Sequence, residues 1–258
     1  MKYTDTHTHL FDEQFDGDRT QIVLKSIDSG VKKMILPGID STYLQKQLNL
    51  IQEFPQNCFP AFGLHPSHVK ENYREELNIV ENLLTQHKAV AIGEIGIDLY
   101  WDKTFLNEQI EAFEYQINLA KRLNLPIIIH VREAFTEVFK VLDKLNDNNL
   151  TGVFHSFSGN IEDAKKIINY KGFKFGINGV VTFKNSGLDR VISEIPIEYI
   201  VLETDSPWLA PVPFRGKRNE SSYLLIIAKK VAEIYNKTLN EISEITEINS
   251  EQLFFTKK

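Results

Sequence analysis

Ile127-Ile128-Ile129-His130 is the stretch on which the fold turns. Three β-branched residues without a polar break suit a strand buried on both faces, as in parallel sheets. The histidine falls where that strand emerges. The same order recurs along the chain. Phe59-Pro60-Ala61-Phe62-Gly63-Leu64 ends at His65, Gly152-Val153-Phe154 at His155, and Ile200-Val201-Leu202-Glu203-Thr204 at Asp205. Ile92-Gly93-Glu94-Ile95-Gly96-Ile97-Asp98 carries two carboxylates, and Tyr3-Thr4-Asp5-Thr6-His7-Thr8-His9-Leu10 opens the series.

The strand candidates are Lys2–His9, Lys33–Gly38, Phe59–His65, Ala89–Asp98, Pro126–Val131, Thr151–Ser156, Phe173–Asn178 and Tyr199–Asp205. Helix candidates lie between them. Asp18 is placed to cap a helix ending near Ser29, with Gly30 beyond it. Ser41–Phe54 and Arg74–His87 follow. Thr104–Leu123 shows the clearest pattern, with Thr104 as N-cap and an inward stripe of Phe105, Phe113, Ile117, Ala120 and Leu123. Glu133–Leu145, Ile161–Tyr170, Ser186–Glu194 and Ser221–Tyr235 complete the alternation, Asn146–Asn149 reads as a loop, and Leu239–Ile248 as an extra terminal helix. Strand then helix, repeated eight times, predicts an α/β fold: a (β/α)8 TIM barrel forming a single domain over residues 1–258. A doubly wound open sheet is the alternative. The barrel is favoured because the polar residues all fall at the C-terminal ends of the runs, which in a barrel converge on one face.

Composition narrows the function. The chain has 258 residues, 42 % hydrophobic and 25 % charged, as expected of a globular protein with a real core. No apolar run approaches a membrane span, and no secretory signal is expected at Met1-Lys2-Tyr3-Thr4-Asp5. Cys58 is the only cysteine, which excludes an intrachain disulfide and thiol-rich zinc sites and fits a cytoplasmic location. A net charge of −6 argues against coating long stretches of nucleic acid. No obligate protein partner is indicated.

If the first run is a strand, Asp5, His7 and His9 share a face, and the two imidazoles make a metal-binding pincer. His130, His155, Glu94 and Asp205 supply further donors at other strand ends. A carboxylate in apolar sequence needs a metal or a partner to offset its burial. Imidazoles and carboxylates without thiolates suit Zn, Mn, Ni or Fe, with Mg less comfortable on so many nitrogens. Six donors suit two ions sharing a bridge better than one ion with an open position. Taken singly, each histidine has a bland reading as a core or surface residue. His87 is assigned to the surface and His68 to a loop.

The chain resembles the TatD family of metal-dependent deoxyribonucleases, within the amidohydrolase-like metallo-hydrolase superfamily. The resemblance rests on Asp5–Leu10, Gly63-Leu64-His65-Pro66, Gly93–Asp98, Leu125–Arg132, Phe154-His155-Ser156-Phe157-Ser158-Gly159, Leu202–Pro207 and Arg215-Gly216-Lys217-Arg218-Asn219-Glu220, in order along nearly the whole chain. It implies two divalent cations (Mg, Mn, Zn or Ni), with His7 and His9 on one, His130 and His155 on the other, and Glu94 bridging them. Asp205 then ligates the first ion and orients or deprotonates the attacking water. The implied reaction is cleavage of DNA phosphodiester bonds, from strand ends. His68 stands one residue later than the commoner spacing, and Ser221 replaces a usual proline.

Other residues are candidates for substrate contact. His65 sits at a strand end, Arg132 is two residues beyond His130, and Arg215, Lys217 and Arg218 form a short basic loop. Glu203 shares a side with Asp205 by strand period, as a partner behind the ligands, a ligand of a further metal, the partner of a buried cation, or a catalytic group. Asp98 is read as ordering the loop that carries Tyr100 and Trp101 rather than touching a ligand, and those rings either stack on a base or merely close the barrel top. Gly159, before a helix, is a weak anion-site candidate. The rival functions are an amidohydrolase or lactonase acting on a small cyclic substrate, and a scaffold keeping a structural metal. Many amidohydrolases bridge their metals with a carboxylated lysine on the fourth strand, where this chain has Glu94 and no lysine.

Overall fold

The apolar runs form one sheet of parallel strands that follow each other in chain order. They are β1 (Tyr3–Asp5), β2 (Val31–Pro37), β3 (Cys58–Phe62), β4 (Ala91–Asp98), β5 (Ile127–Arg132), β6 (Gly152–Phe154), β7 (Phe173–Ile177) and β8 (Ile200–Leu202). The computed structural model describes residues 1–147 and 149–256, so Asn148 of the expected Asn146–Asn149 loop lies outside the described residues. Helices α1 (Arg19–Asp28), α2 (Leu44–Glu53), α3 (Tyr73–Gln86), α4 (Leu106–Leu123), α5 (Phe135–Leu145), α6 (Ile161–Asn169), α7 (Leu188–Ser193) and α8 (Leu224–Tyr235) each follow a strand, and α9 (Leu239–Ser250) ends the series. The molecule is a (β/α)8 TIM barrel, as the alternation predicts.

Alternation along the strands separates two cores. Met34, Leu36, Ile127 and Ile129 join Phe113, Val138 and Ile167 of the helices in the outer layer. Ile35, Ala61, Ala91, Ile128, Val153 and Val201 fill the lumen instead, together with Leu253 and Phe254 from the turn after α9. The C-terminal segment therefore plugs the barrel. Among the described residues no helix is long and apolar enough to cross a membrane.

The barrel closes between β1 and β8. Thr6 N–H donates to the Leu202 carbonyl at 3.0 Å, Asp205 N–H to His7 at 2.9 Å, and His9 N–H to Ser206 at 2.7 Å. Behind this seam the buried Asp5 accepts from the Thr204 amide at 2.9 Å and hydroxyl at 2.6 Å. β1 itself stops at Asp5, so His7 and His9 lie past the regular strand.

Several local expectations change. Phe105, not Thr104, precedes the first turn of α4, and the Thr104 amide donates to Asp102. Leu123, at the last turn, is 44 % exposed. Asp18 stands at the N-cap of α1 but gives its carboxylate to Arg218. Glu133 precedes α5 with φ 53° rather than starting it.

Candidate metal centre

β4 aims the central carboxylate. Ile92 pairs with Ile127 but Ile95 with Ile129, so β4 carries one residue more than β5 across this interval. A bulge of this kind changes the phase of alternation and re-aims a side chain. Ala91 faces the lumen, Ile92 and Ile95 face the helices, and Glu94 turns inward between them. Gly96, at φ 141°, lets the strands approach so closely that a Cβ would stand 2.0 Å from the His130 carbonyl oxygen.

Glu94 offers one oxygen to each half of a histidine cluster. Its Oε2 lies 3.0 Å from His7 Nε2 and 3.6 Å from His9 Nε2. Its Oε1 lies 2.7 Å from His130 Nδ1, 3.3 Å from His65 Nε2 and 3.5 Å from His155 Nε2. The seam brings Asp205 Oδ1 to 3.8 Å from both His7 Nε2 and His9 Nε2, and to 3.9 Å from His155 Nε2. The other five sequence-predicted ligands therefore gather in one cluster with Glu94, and His65 joins them. His7–His9–Glu94, His7–His155–Glu203 and His65–Glu94–His130 each present donor atoms within 4.8 Å of one another.

The donor chemistry fits divalent cations. The Nε2 atoms of His7 and His9 face each other at 3.0 Å, while both Nδ1 atoms are buried without a hydrogen-bond partner. Imidazole nitrogens converging beside carboxylate oxygens are a donor set that a divalent cation satisfies.

With these groups facing only one another, their acidities spread widely. Burial and the neighbouring His155 imidazole hold His7 well below the usual histidine value, in the neutral form a metal requires. Burial likewise lowers His65 to about 4, against the pull of Glu94. Burial opposes the ionisation of Glu94, but His65, His7 and His155 outweigh it and hold its carboxyl well below the usual range. Burial pushes Asp205 up to about 6, partly offset by His155 and His9. His155 is raised to about 10 because Glu203, Glu94 and Asp205 overcome its burial.

Two carboxylates support the cluster from outside. Glu203 is fully buried, with Oε1 2.9 Å from His155 Nδ1 (an ion-pair distance without hydrogen-bond alignment) and accepting from the Ser156 amide at 2.6 Å. Gly176 makes room for it, since a Cβ there would lie 2.1 Å from Glu203 Oε2. Asp98 orders the Tyr100 loop by accepting its amide at 2.9 Å, as expected, but its other oxygen also lies 2.9 Å from His130 Nε2. Sequence reading missed that second contact: strand period puts Asp98, four residues beyond Glu94, on the same side, but does not say that it stands against His130.

The cluster opens into a cavity of about 600 Å³ lined by His9, His65, Glu94, His130, Asp205, Arg132, Trp101 and Trp208, among others. Trp208 escaped notice in the sequence; it stands 5.1 Å from His9. Arg215 does not line the cavity and stacks on Phe183 at 4.5 Å. Lys217 lies over Phe214 at 6.0 Å, and Arg218 is held by Asp18 at 2.6 Å. Gly159 is no anion site: Asn160 and Asp163 already cap α6 reciprocally, and the Asp163 carboxylate would repel an anion. His68 stands off the cluster, 3.7 Å from Asp40, and His87 is exposed.

A parallel barrel with histidines and carboxylates gathered at the C-terminal ends of its strands defines a class, the metal-dependent hydrolases of the barrel type. The chain belongs to the TatD related DNase family, whose sequence model matches residues 4–255. It is 38 % identical over 251 residues to the uncharacterized metal-dependent hydrolase YabD of Bacillus subtilis (strain 168), covering 97 % of this chain and 98 % of that one. It is 30 % identical over 256 residues to the 3′-5′ ssDNA/RNA exonuclease TatD of Pantoea sp. (strain At-9b), covering 97 % and 98 % respectively. The crystal structure of YjjV, a TatD homolog from Escherichia coli K12, superposes with a TM-score of 0.92 at 28 % identity, covering 99 % of this chain and 98 % of that one. This chain is accordingly a metal-dependent hydrolase of the TatD family.

Proposed function

We propose that the chain is a two-metal phosphodiesterase that degrades DNA from strand ends. The observation that carries this reading is the division of Glu94, with Oε2 toward His7 and His9 and Oε1 toward His65, His130 and His155. A carboxylate so divided serves as a bridge. His7, His9 and Asp205 would hold one ion, and His130 and His155 the other. Bound there, the ions would lower the pKa of a water and offset charge on a phosphate oxygen.

The remaining work falls to the side chains. Asp205 lines the cavity beside His9 and orients the attacking water or takes its proton at a carboxylate oxygen. Asp98 fixes the ring of His130, and Glu203 that of His155. Arg132, at the cavity wall, offers its guanidinium fork to a phosphate. Arg215 lies outside the cavity, so only a longer substrate strand would reach it. The name of the Pantoea relative supports a nucleic-acid substrate. Against a lactonase or amidohydrolase bridged by a carboxylated lysine, β4 reads AIGEIGID and holds no lysine.

The test is turnover of single-stranded DNA, RNA, bis(p-nitrophenyl) phosphate, a lactone and a dihydropyrimidine, each with Mg, Mn, Zn and Ni. DNA and the phosphodiester should turn over, and Glu94→Ala should lose at least about a hundredfold in rate. Turnover confined to the lactone or the cyclic amide would refute the proposal.

A further inference from the structure

The mouth of the barrel carries side chains that holding metal ions does not require. Trp101 is 71 % exposed and Tyr100 49 % exposed. Their rings meet edge to face at 4.7 Å. The Arg132 guanidinium lies 3.7 Å over Tyr100 and 5.3 Å from the Trp101 ring. Arg74, Arg122 and Arg218 each hold a carboxylate, whereas Arg132 holds aromatic rings. Trp101 and Arg132 line the same cavity as the histidines. Large exposed rings on the rim of a polar cavity are a recognition feature rather than a packing one.

This platform is fixed relative to the ligand cluster. One oxygen of Asp98 accepts the Tyr100 amide and the other meets His130, both at 2.9 Å. The Leu99 amide donates to the Arg132 carbonyl at 2.9 Å, so loop and strand are tied at the root. At the far end, Lys70 reaches Asp102 at 3.4 Å.

We propose that Trp101, with Tyr100 and Arg132, forms a stacking subsite for an unpaired nucleobase, and that this subsite makes the enzyme select single strands over duplex. The inference rests on the phosphodiesterase reading above. Every base presents a π-face, so an indole accepts any of them without reading sequence. A base inside a duplex already has its faces stacked and its edge paired, and must give both up to enter. The guanidinium, 3.7 Å over the Tyr100 ring, has N–H groups to offer the adjoining phosphate.

The chain has two tryptophans, so Trp208→Phe leaves Trp101 as the only indole reporter. Titrating that variant, metal-free, with oligothymidylate should quench its fluorescence. The same length of abasic tetrahydrofuran phosphodiester should quench it little. In steady-state kinetics, the ratio of kcat/KM for oligothymidylate to that for bis(p-nitrophenyl) phosphate should fall about tenfold or more in Trp101→Ala and recover in Trp101→Phe. The preference for single strand over blunt duplex should fall with it. Equal quenching by both polymers, no quenching by either, or a ratio unchanged in Trp101→Ala overturns the subsite. A wild-type enzyme inactive on both esters overturns the phosphodiesterase reading instead, and the titration still decides whether the rings bind bases.

Discussion

Glu94 reaches the lumen only because β4 carries an extra residue between Ile92 and Ile95. Strict alternation from Ala91 would have sent it toward the helices. Its presence as a buried carboxylate was legible in the sequence, and so was the joint recurrence of His7, His9, His130, His155 and Asp205 at strand ends. The cross-strand neighbours were not. Asp98 against His130, and Glu203 against His155, depend on how strands are staggered, which period alone does not give. Gly176 tests this supporting layer. Adding a methyl 2.1 Å from Glu203 Oε2 must displace the carboxylate that faces His155. Gly176→Ala should cost about 1–3 kcal/mol by overpacking and weaken metal uptake in calorimetry. An unchanged melting temperature together with unchanged affinity would show that Glu203 has room to spare.

α4 shows what an element does beyond covering the sheet. Its apolar stripe was read correctly at Phe113, Ile117 and Ala120, all buried. Its polar residues were not. Gln109 and Gln116 are buried on the same helix: Gln116 accepts from the Leu64 amide at 2.8 Å and donates to the Leu64 carbonyl, and Gln109 does the same at Asp98. A polar residue in an amphipathic helix reads as outward-facing, so only the fold reveals that these two amides hold the strand ends carrying His65 and Asp98. Gln116→Leu leaves both polar groups of Leu64 unpaired. It should lower unfolding free energy in urea by about 1–3 kcal/mol. An unchanged midpoint would mean that water replaces the amide freely.

At the scale of the whole molecule, two closures define the barrel. One is the β1–β8 seam, whose backbone bonds carry His7, His9 and Asp205 into one place. The other is the C-terminal plug. The terminal helix was legible near Leu239–Ile248, but its continuation was not. Leu253 and Phe254 read as an ordinary chain end until the lumen residues Ala61 and Ala91, too small to fill the space alone, are seen to receive them. Phe254→Ala should therefore cost about 3–5 kcal/mol, measured by chemical unfolding. A loss below about 1 kcal/mol would put the ring outside the cooperative core.

The central claim is that Glu94 joins two ions in one centre. Metal content per chain, measured by elemental analysis after chelation, reloading with Mn or Zn and exhaustive dialysis, tests it most directly. The account predicts two ions per wild-type chain and one or fewer in Glu94→Ala. Two tightly held ions in both proteins, or a single ion in the wild type, would contradict it.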